Sequence, residues 1–515
     1  MRVVAMLLAL LLVPVGQVSG GESIYDLTVQ TRNPDPNWVD RSDEEYSAQV
    51  VRYEPFRARV IVESDGDPEM AILMEEGLSD SIGMGLLQQW IDDIEAEEYA
   101  TELIEISYAD PEEVKSFLDS LHALGLKGSV LVGDLPAGWV AVWDTEVNMG
   151  EKLPCDYFFM DLDGSWQDLW IGYPRDSIPG QDGFYDTFEG ELDPELWSAR
   201  IKTDNLTQLG DPVEMIQDYL GRNHEWRLNG DPEPVVALCY VDDDWQYSGP
   251  TYQAHMQLLY ENVELVNASL LTCDLDYEMN RLPGSYVWIS PFVHSNPNAH
   301  FWQPSAGTTS WDELVPLASS AHFYNLFACS NCRFTSPNYM GGVYSLATEP
   351  GLAAVGSTTS GAMLWFREFY GPLGGGGTLG EAFRLWWDHI AEYGLSQHEL
   401  NWHIGMVLLG DPSLVPAMHA TGLEELGETP AEFLQVSIYP NPCGGEATVE
   451  LRPARSGDVR VSVYDVSGRL VEDRSLPGCS VEQRLVRLGE MTPGVYMVRA
   501  SAGDYIDLRK LVVLD

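Results

Sequence analysis

A thiol and an imidazole stand where two apolar runs end. SYVWISPFVH closes on His294, and FYNLFACSNC carries Cys329, 35 residues further on. Both runs are short, apolar and rich in aromatic residues, which reads as strand, so both side chains fall at strand tips. A thiol is partly ionised at neutral pH and intrinsically nucleophilic, and a nearby imidazole can take its proton or protonate a leaving group. The pair suits covalent acyl transfer. Other readings of the same residues stay open. His294 can be a structural residue of a strand-end loop, with His300 as the second candidate base, and Cys329 can be a small buried hydrophobe. Cys329-Ser-Asn-Cys332 also has the spacing of a redox pair at a strand-to-helix turn, and a disulfide there would silence the nucleophile.

Carboxylates form a second kind of cluster. Asp161-Leu-Asp163-Gly164 with Asp168, and Asp242-Asp243-Asp244, offer hard oxygen ligands at short spacing, as calcium takes. The plain alternative is a solvated acidic loop. No His or Cys spacing suits zinc. The whole chain is acidic, with 80 Asp+Glu against 28 Lys+Arg and a formal charge of −52, which repels phosphate backbones and anionic lipid surfaces. Nucleic acid is thereby excluded as a partner. With 45% hydrophobic residues, 16 Trp and 24 Tyr, the composition is globular.

What must bring the two tips together is a parallel sheet, whose ligands collect beyond the carboxyl ends of its strands. From about Phe56 the chain alternates: RARVIVES apolar, LLQQWIDDIEAEEYA helical, ELIEISYA apolar, PEEVKSFLDSLHALG helical, GSVLVGD apolar. After a loop-rich middle it resumes with PVVALCYV as strand, SGPTYQAHMQLLYENVELV as helix, then SYVWIS, FYNLFAC and GLAAVGST as strands and LGEAFRLWWDHIAEYG as a closing helix. The expected fold class is α/β, a mostly parallel open sheet or sheets flanked by helices. Its two parts are residues 55–200 and 201–416, either as subdomains or as one large sheet. Net charge is −47 over residues 1–416 and −5 over 417–515, and the shift coincides with a Gly- and Pro-bearing acidic stretch, 417–433, read as a linker. Residues 434–515 alternate apolar and polar in short runs, which predicts a small antiparallel β-sandwich. Along RVSVYDV, Val461 and Val463 share one face.

Residues 1–20 have a short basic start at Arg2, an apolar run from Val3 to Val15 and a small-residue cleavage site at Val18-Ser19-Gly20, the pattern of an export signal. No stretch of the remaining sequence approaches the roughly 18 apolar residues a spanning helix needs, so no transmembrane span is expected in the mature protein. Residues 21–54 read as a remnant propeptide or an N-terminal strand region. Seven cysteines are too few and too odd in number for a disulfide scaffold.

Taken in order, LFACSNCRF, LAAVGSTTSGAM, GGTLGEAFRLWW and LLGDPSLVP, preceded by VLVGDLP, DYFFMDLDGSWQD and ELWSARI, resemble the gingipain-like cysteine peptidases of the caspase-type fold over about residues 55–416. The resemblance implies an exported endopeptidase acting on protein or peptide substrates. In it Cys329 is the nucleophile, His294 moves the proton, and backbone N–H groups of Ser295 and Cys329 hold the oxyanion. It also implies structural calcium, for which Asp161, Asp163 and Asp168, or Asp242 and Asp244, are the candidates. His294 departs from the family's Gly-His-Gly setting, being flanked by Val293 and Ser295, which leaves open a weak or inactive homologue that binds at the cell surface. IYPNPCGGEATVEL, VSVYDVSGRLV, PGVYMVRASAG and RKLVVLD resemble, in order and spacing, the C-terminal sorting domains of type IX secretion cargo. That implies passage through the periplasm and across the outer membrane by the secretion machinery, with a secreted or surface-attached product.

Overall fold

Two kinds of apolar run build the central sheet, and their difference sets where each strand lies. MAILME at Met70–Glu75, GSVLV at Gly128–Val132 and MVLLG at Met406–Gly410 are apolar throughout and buried along nearly their whole length, as parallel strands covered on both faces must be. ARVIV at Ala58–Val62, which carries Arg59, is largely exposed and forms the sheet edge. The computed structural model describes residues 40–417, except 65, 145–148, 174–177, 231–234, 269–270, 304, 318 and 393–396, and most strand residues between 434 and 513. The export signal and the linker from 418 onward lie outside the described residues.

In chain order the sheet strands are β1 (Ala58–Val62), β2 (Met70–Glu75), β3 (Thr101–Ile106), β4 (Gly128–Val132), β5 (Trp197–Ile201), β6 (Ala237–Val241), β7 (Val263–Val266), β8 (Trp288–Phe292), β9 (Phe323–Asn325), β10 (Ala353–Ser357) and β11 (Met406–Gly410). They lie side by side as β1-β3-β2-β4-β5-β11-β10-β9-β8-β6-β7. β2 to β5 and β11 run parallel. β6 to β10 also run parallel. Between them β10 and β11 pair antiparallel, Ala353 opposite Gly410. The strands of both expected parts form one eleven-stranded sheet, in which β11, from the end of the second part, runs with the strands of the first, and the carboxyl ends of the two parallel sets point to opposite edges.

Helices cover the sheet, and several begin on signals visible in the sequence. Asp110 accepts from the Glu112 N–H ahead of Pro111–His122, and Asp211 accepts from Val213 and Glu214 ahead of Pro212–Asn229. Each places an Asp cap before a Pro whose missing N–H costs nothing there. Three details differ from the sequence reading. The strand before the first long helix, Met84–Glu95, is β2 and not β1. The run SGPTYQAHMQLLYENVELV is a helix only over Gly249–Met256, and its end is strand β7. The N-terminal segment supplies a helix, Ser42–Val50. No helix among the described residues is long and apolar enough to cross a membrane.

Residues 423–515 cluster apart from 24–422. They hold two antiparallel sheets, Leu434–Tyr439, Thr448–Pro453 and Arg484–Arg487 in one, and Leu470–Cys479, Gly457–Asp465, Gly494–Ala502 and Tyr505–Val513 in the other. Val449 and Leu451 of the first share a core with Val461, Val463 and Val498 of the second, so the two sheets pack as a sandwich.

Candidate active site

Three neighbouring parallel strands end together. β8 pairs with β9, Trp288 opposite Phe323, and the pairing continues past the strands to Phe292 opposite Phe327. On its other side β8 pairs with β6, Val241 opposite Phe292. Cys329 follows β9, His294 follows β8, and Asp244 follows β6 within the short 3₁₀ turn Asp243–Trp245.

His294 opens a hairpin instead of lying in a loop, with His294–Asn296 antiparallel to Ala299–Phe301. Its Nε2 lies 2.6 Å from Asp244 Oδ2. An ionised carboxylate can only accept, so in a neutral imidazole the proton sits on Nε2 and Nδ1 presents a lone pair. Nδ1 is buried and has no hydrogen-bond partner. Burial lowers the pKa of His294 below the ordinary histidine value, and the bond and charge of Asp244 oppose it only in part. Trp245 packs against the ring at 4.8 Å between centroids.

The thiol strand is tied to this hairpin by two bonds. Ser295 Oγ donates to the Cys329 carbonyl at 2.7 Å, and Asn331 Nδ2 donates to the Asn296 carbonyl at 2.7 Å. Ser330 has a φ of +58°, a left-handed conformation that costs a non-glycine residue about 1 kcal/mol. Its N–H donates to Thr359 O at 2.8 Å, which fixes the sharp bend after the thiol. His294 and Cys329 are each 4% exposed, whereas the Asp244 side chain is 37% exposed. The imidazole and the thiol lie just under the surface, and the Asp244 carboxylate is the more exposed group.

Cys329 and Cys332 are not joined to each other in a disulfide. A Cβ added at Gly341 or Gly356 would lie 2.6 or 2.7 Å from Cys332 Sγ, so that sulfur fills the space the two glycines leave, and burial pushes its pKa up. It packs as a hydrophobe. His300 is fully buried, its pKa pushed down to about 3 by desolvation, and its Nε2 meets the Tyr344 hydroxyl at 3.0 Å. It belongs to the core.

The acidic clusters separate. Asp161 and Asp163 converge with Glu195, their ligand oxygens within 4.8 Å of one another. Glu195 lies 32 positions after Asp163, too far along the chain for sequence spacing to join the two. Asp168 does not join them: its carboxylate accepts from the Asp182 and Gly183 amides. Asp242 is buried, accepts from the Gln303 amide at 2.8 Å, and is pushed up to about 7 by desolvation. Asp244 turns to His294, so the 242–244 run is no converging ligand set among the described residues. Asp161 already accepts on both oxygens, from the Gly164 amide and the Trp166 indole, and Glu195 accepts from the Leu162 amide; converging carboxylates are the donor type a hard cation takes.

Residues 437–514 match the family described as Secretion system C-terminal sorting domain. The chain is an exported protein. It carries the address of type IX secretion cargo and is secreted or held at the cell surface. Among curated proteins none matches it. Among solved structures, a β-glucuronidase of Faecalibacterium prausnitzii is 23% identical over 16% of this chain and 15% of its own, with a TM-score of 0.13. The CARDB domain of a Pyrococcus furiosus protein is 17% identical over 18% of this chain and 97% of its own, with a TM-score of 0.13. Dimeric latent PorU from Porphyromonas gingivalis is 10% identical over 87% of this chain, with a TM-score of 0.29, and the chain spans 42% of that protein's length.

Proposed function

We propose that this exported chain is a cysteine-type endopeptidase of the gingipain-like, caspase-type kind, with Cys329 as nucleophile, His294 as base and acid, and Asp244 as the group that orients the imidazole. The observation that carries the reading is the Asp244–His294 bond, which leaves the lone pair of Nδ1 unused at the tip next to Cys329. The thiol proton passes to Nδ1 while sulfur attacks the peptide carbonyl. Backbone N–H groups of Ser295 and Cys329 take the charge on the carbonyl oxygen. The C–N bond then breaks, Nδ1 protonates the departing amine, and an acyl-enzyme remains. Water, giving its proton to the same nitrogen, releases the acid and restores the thiol. The lowered pKa of His294 favours this sequence, because the imidazole is neutral and able to accept at neutral pH.

The 4% exposure of Cys329 favours a second reading, a surface-binding protein that keeps the fold without the activity. A peptidyl electrophile directed at thiols separates the two. The peptidase reading expects stoichiometric modification at Cys329 by mass spectrometry, lost in His294→Ala. Absence of modification in the reduced, calcium-loaded full chain would favour the binding protein.

A further inference from the structure

The carboxyl ends of β3 and β4, in the other half of the sheet, open into a cavity of about 560 Å³, within the usual size range for small-molecule sites. Two aromatic groups line it. One is Tyr46 and Trp139, with Phe184 at ring centroids 4.6 and 5.9 Å away; the other is Trp166 and Tyr185, with centroids 6.1 Å apart in a T arrangement. Tyr53 also lines it. Three carboxylates, Asp110, Glu112 and Asp168, also line it, and among the described residues its lining contains no Lys or Arg. Cations neighbour these rings: Lys152 lies 3.9 Å from the Phe184 ring and pairs with Asp43, Lys115 lies 5.5 Å from the Trp166 ring, and Arg333 lies 5.8 Å from the Trp139 ring.

The carboxylates bring charge but are already engaged as hydrogen-bond acceptors. Asp110 caps its helix on the Glu112 N–H, Glu112 accepts from the Tyr185 hydroxyl at 2.5 Å, and Asp168 accepts from the Asp182 and Gly183 amides. The cavity thus presents a negative field and several aromatic rings. After its own burial, the nearby Asp110 and Asp168 charges are the next causes that raise the pKa of the Tyr46 hydroxyl, so the field reaches the cavity wall. Gly183 makes the close wall possible, since a Cβ there would collide with the Tyr46 hydroxyl oxygen.

We infer that this cavity binds an organic cation of the methylated-ammonium type, held between ring faces and the carboxylate field. Such a cation brings no N–H donors and is attracted to aromatic faces. The inference is independent of the Cys329 chemistry, because the cavity lies among residues of the first half of the sheet.

Titration of the full chain with choline, followed by the fluorescence of Trp139 and Trp166 and by calorimetry, tests it against 3,3-dimethylbutan-1-ol, the uncharged carbon analogue. Choline is expected to bind saturably and at least ~10-fold more tightly than the alcohol. Glu112→Gln, an exposed helix position, should weaken choline ~5-fold with an unchanged melting temperature, and Tyr53→Leu should do the same. Equal affinity for the alcohol, tighter binding of arginine amide or of a neutral disaccharide than of choline, displacement of choline by millimolar calcium, or no saturable response to choline each overturns the inference.

Discussion

The two halves of the sheet are built alike and end differently. In the first half the charged groups at the carboxyl tips are spent on one another. Asp134 after β4 pairs with Lys202 after β5 at 2.7 Å and with Arg52, and Asp110 after β3 caps a helix. In the second half Asp244, His294 and Cys329 occupy three adjacent tips, and the imidazole keeps one buried nitrogen without a partner. An imidazole whose other nitrogen is held by a carboxylate keeps a lone pair that can accept a proton. The same topology supplies structure on one side and unspent chemistry on the other.

The largest expected effect comes from removing the sulfur. Cys329→Ala should lower peptide hydrolysis by ~10³-fold or more while leaving the fold intact. Cys332→Ala is the matched control: it should keep the activity and lose about 1 kcal/mol of stability in urea, because its sulfur fills the gap between Gly341 and Gly356. Equal activity losses in the two variants would restore the redox pair as a reading.

The first half should answer in stability instead. Arg200 is fully buried; its guanidinium donates twice to Asp156, at 2.7 and 2.8 Å, and also to the carbonyls of Leu135 and Pro136. Asp156→Ala leaves that charge buried and should cost about 3–5 kcal/mol by chemical denaturation. The pH profile of any remaining activity should not move. A loss under 1 kcal/mol would mean that solvent reaches Arg200 and that the contrast between the halves is overdrawn.

Asp244 joins the two kinds of effect. Asp244→Asn should reduce kcat/KM by ~10²-fold, since the carboxylate holds the tautomer that leaves Nδ1 free. The sign of the pH effect is fixed. Burial lowers the pKa of His294, Asp244 opposes that in part, and the variant loses the opposing influence. The acid limb of kcat/KM, already below the ordinary histidine range, should move to lower pH. A limb that moves upward, or an unchanged rate, would show that Asp244 does not act on the imidazole.

How much of this was legible in the residues depends on how local the signal is. The strands that end in His294 and Cys329, the α/β alternation and the C-terminal sandwich are written in short windows of apolar periodicity, and the structure contains them. That the two parts merge into one sheet is not local: it depends on β11, a five-residue strand that pairs antiparallel with β10 and parallel with β5. The sequence reading places a strand at RARVIVES and none at MAILME, a few residues later, yet the first is the exposed edge strand and the second the buried, more central one. Three consecutive aspartates suggest cation ligands, whereas Asp244 turns to His294. The signal that would have paired it with His294 was present, since PVVALCYV ends immediately before it and its neighbour in a parallel sheet could be SYVWIS. Choosing among strand orders needs long-range pairing that periodicity does not carry.

The smallest effect concerns the cation. Asp161, Asp163 and Glu195 bring oxygens within 4.8 Å of one another, and burial raises the pKa of both Asp161 and Glu195, with neighbouring carboxylates adding to it. Lys115 offsets part of the repulsion at Asp161. Groups with raised pKa values lend stability at low pH and lose it as pH rises through those values, so the metal-free cluster is least favourable in the alkaline range. Calcium binds the charged forms, and protons compete with it. Saturating calcium should therefore raise the melting temperature by a few degrees at pH 8 and by less at pH 5, a stabilisation of about 1–3 kcal/mol if the ion is present well above its Kd. Asp163→Asn should abolish the response, whereas Asp168→Asn, which lies outside the cluster, should leave it in place. A melting temperature at pH 8 that is the same in calcium and in chelator would mean that these carboxylates are a solvated acidic turn, and the two halves would then differ at their strand tips alone.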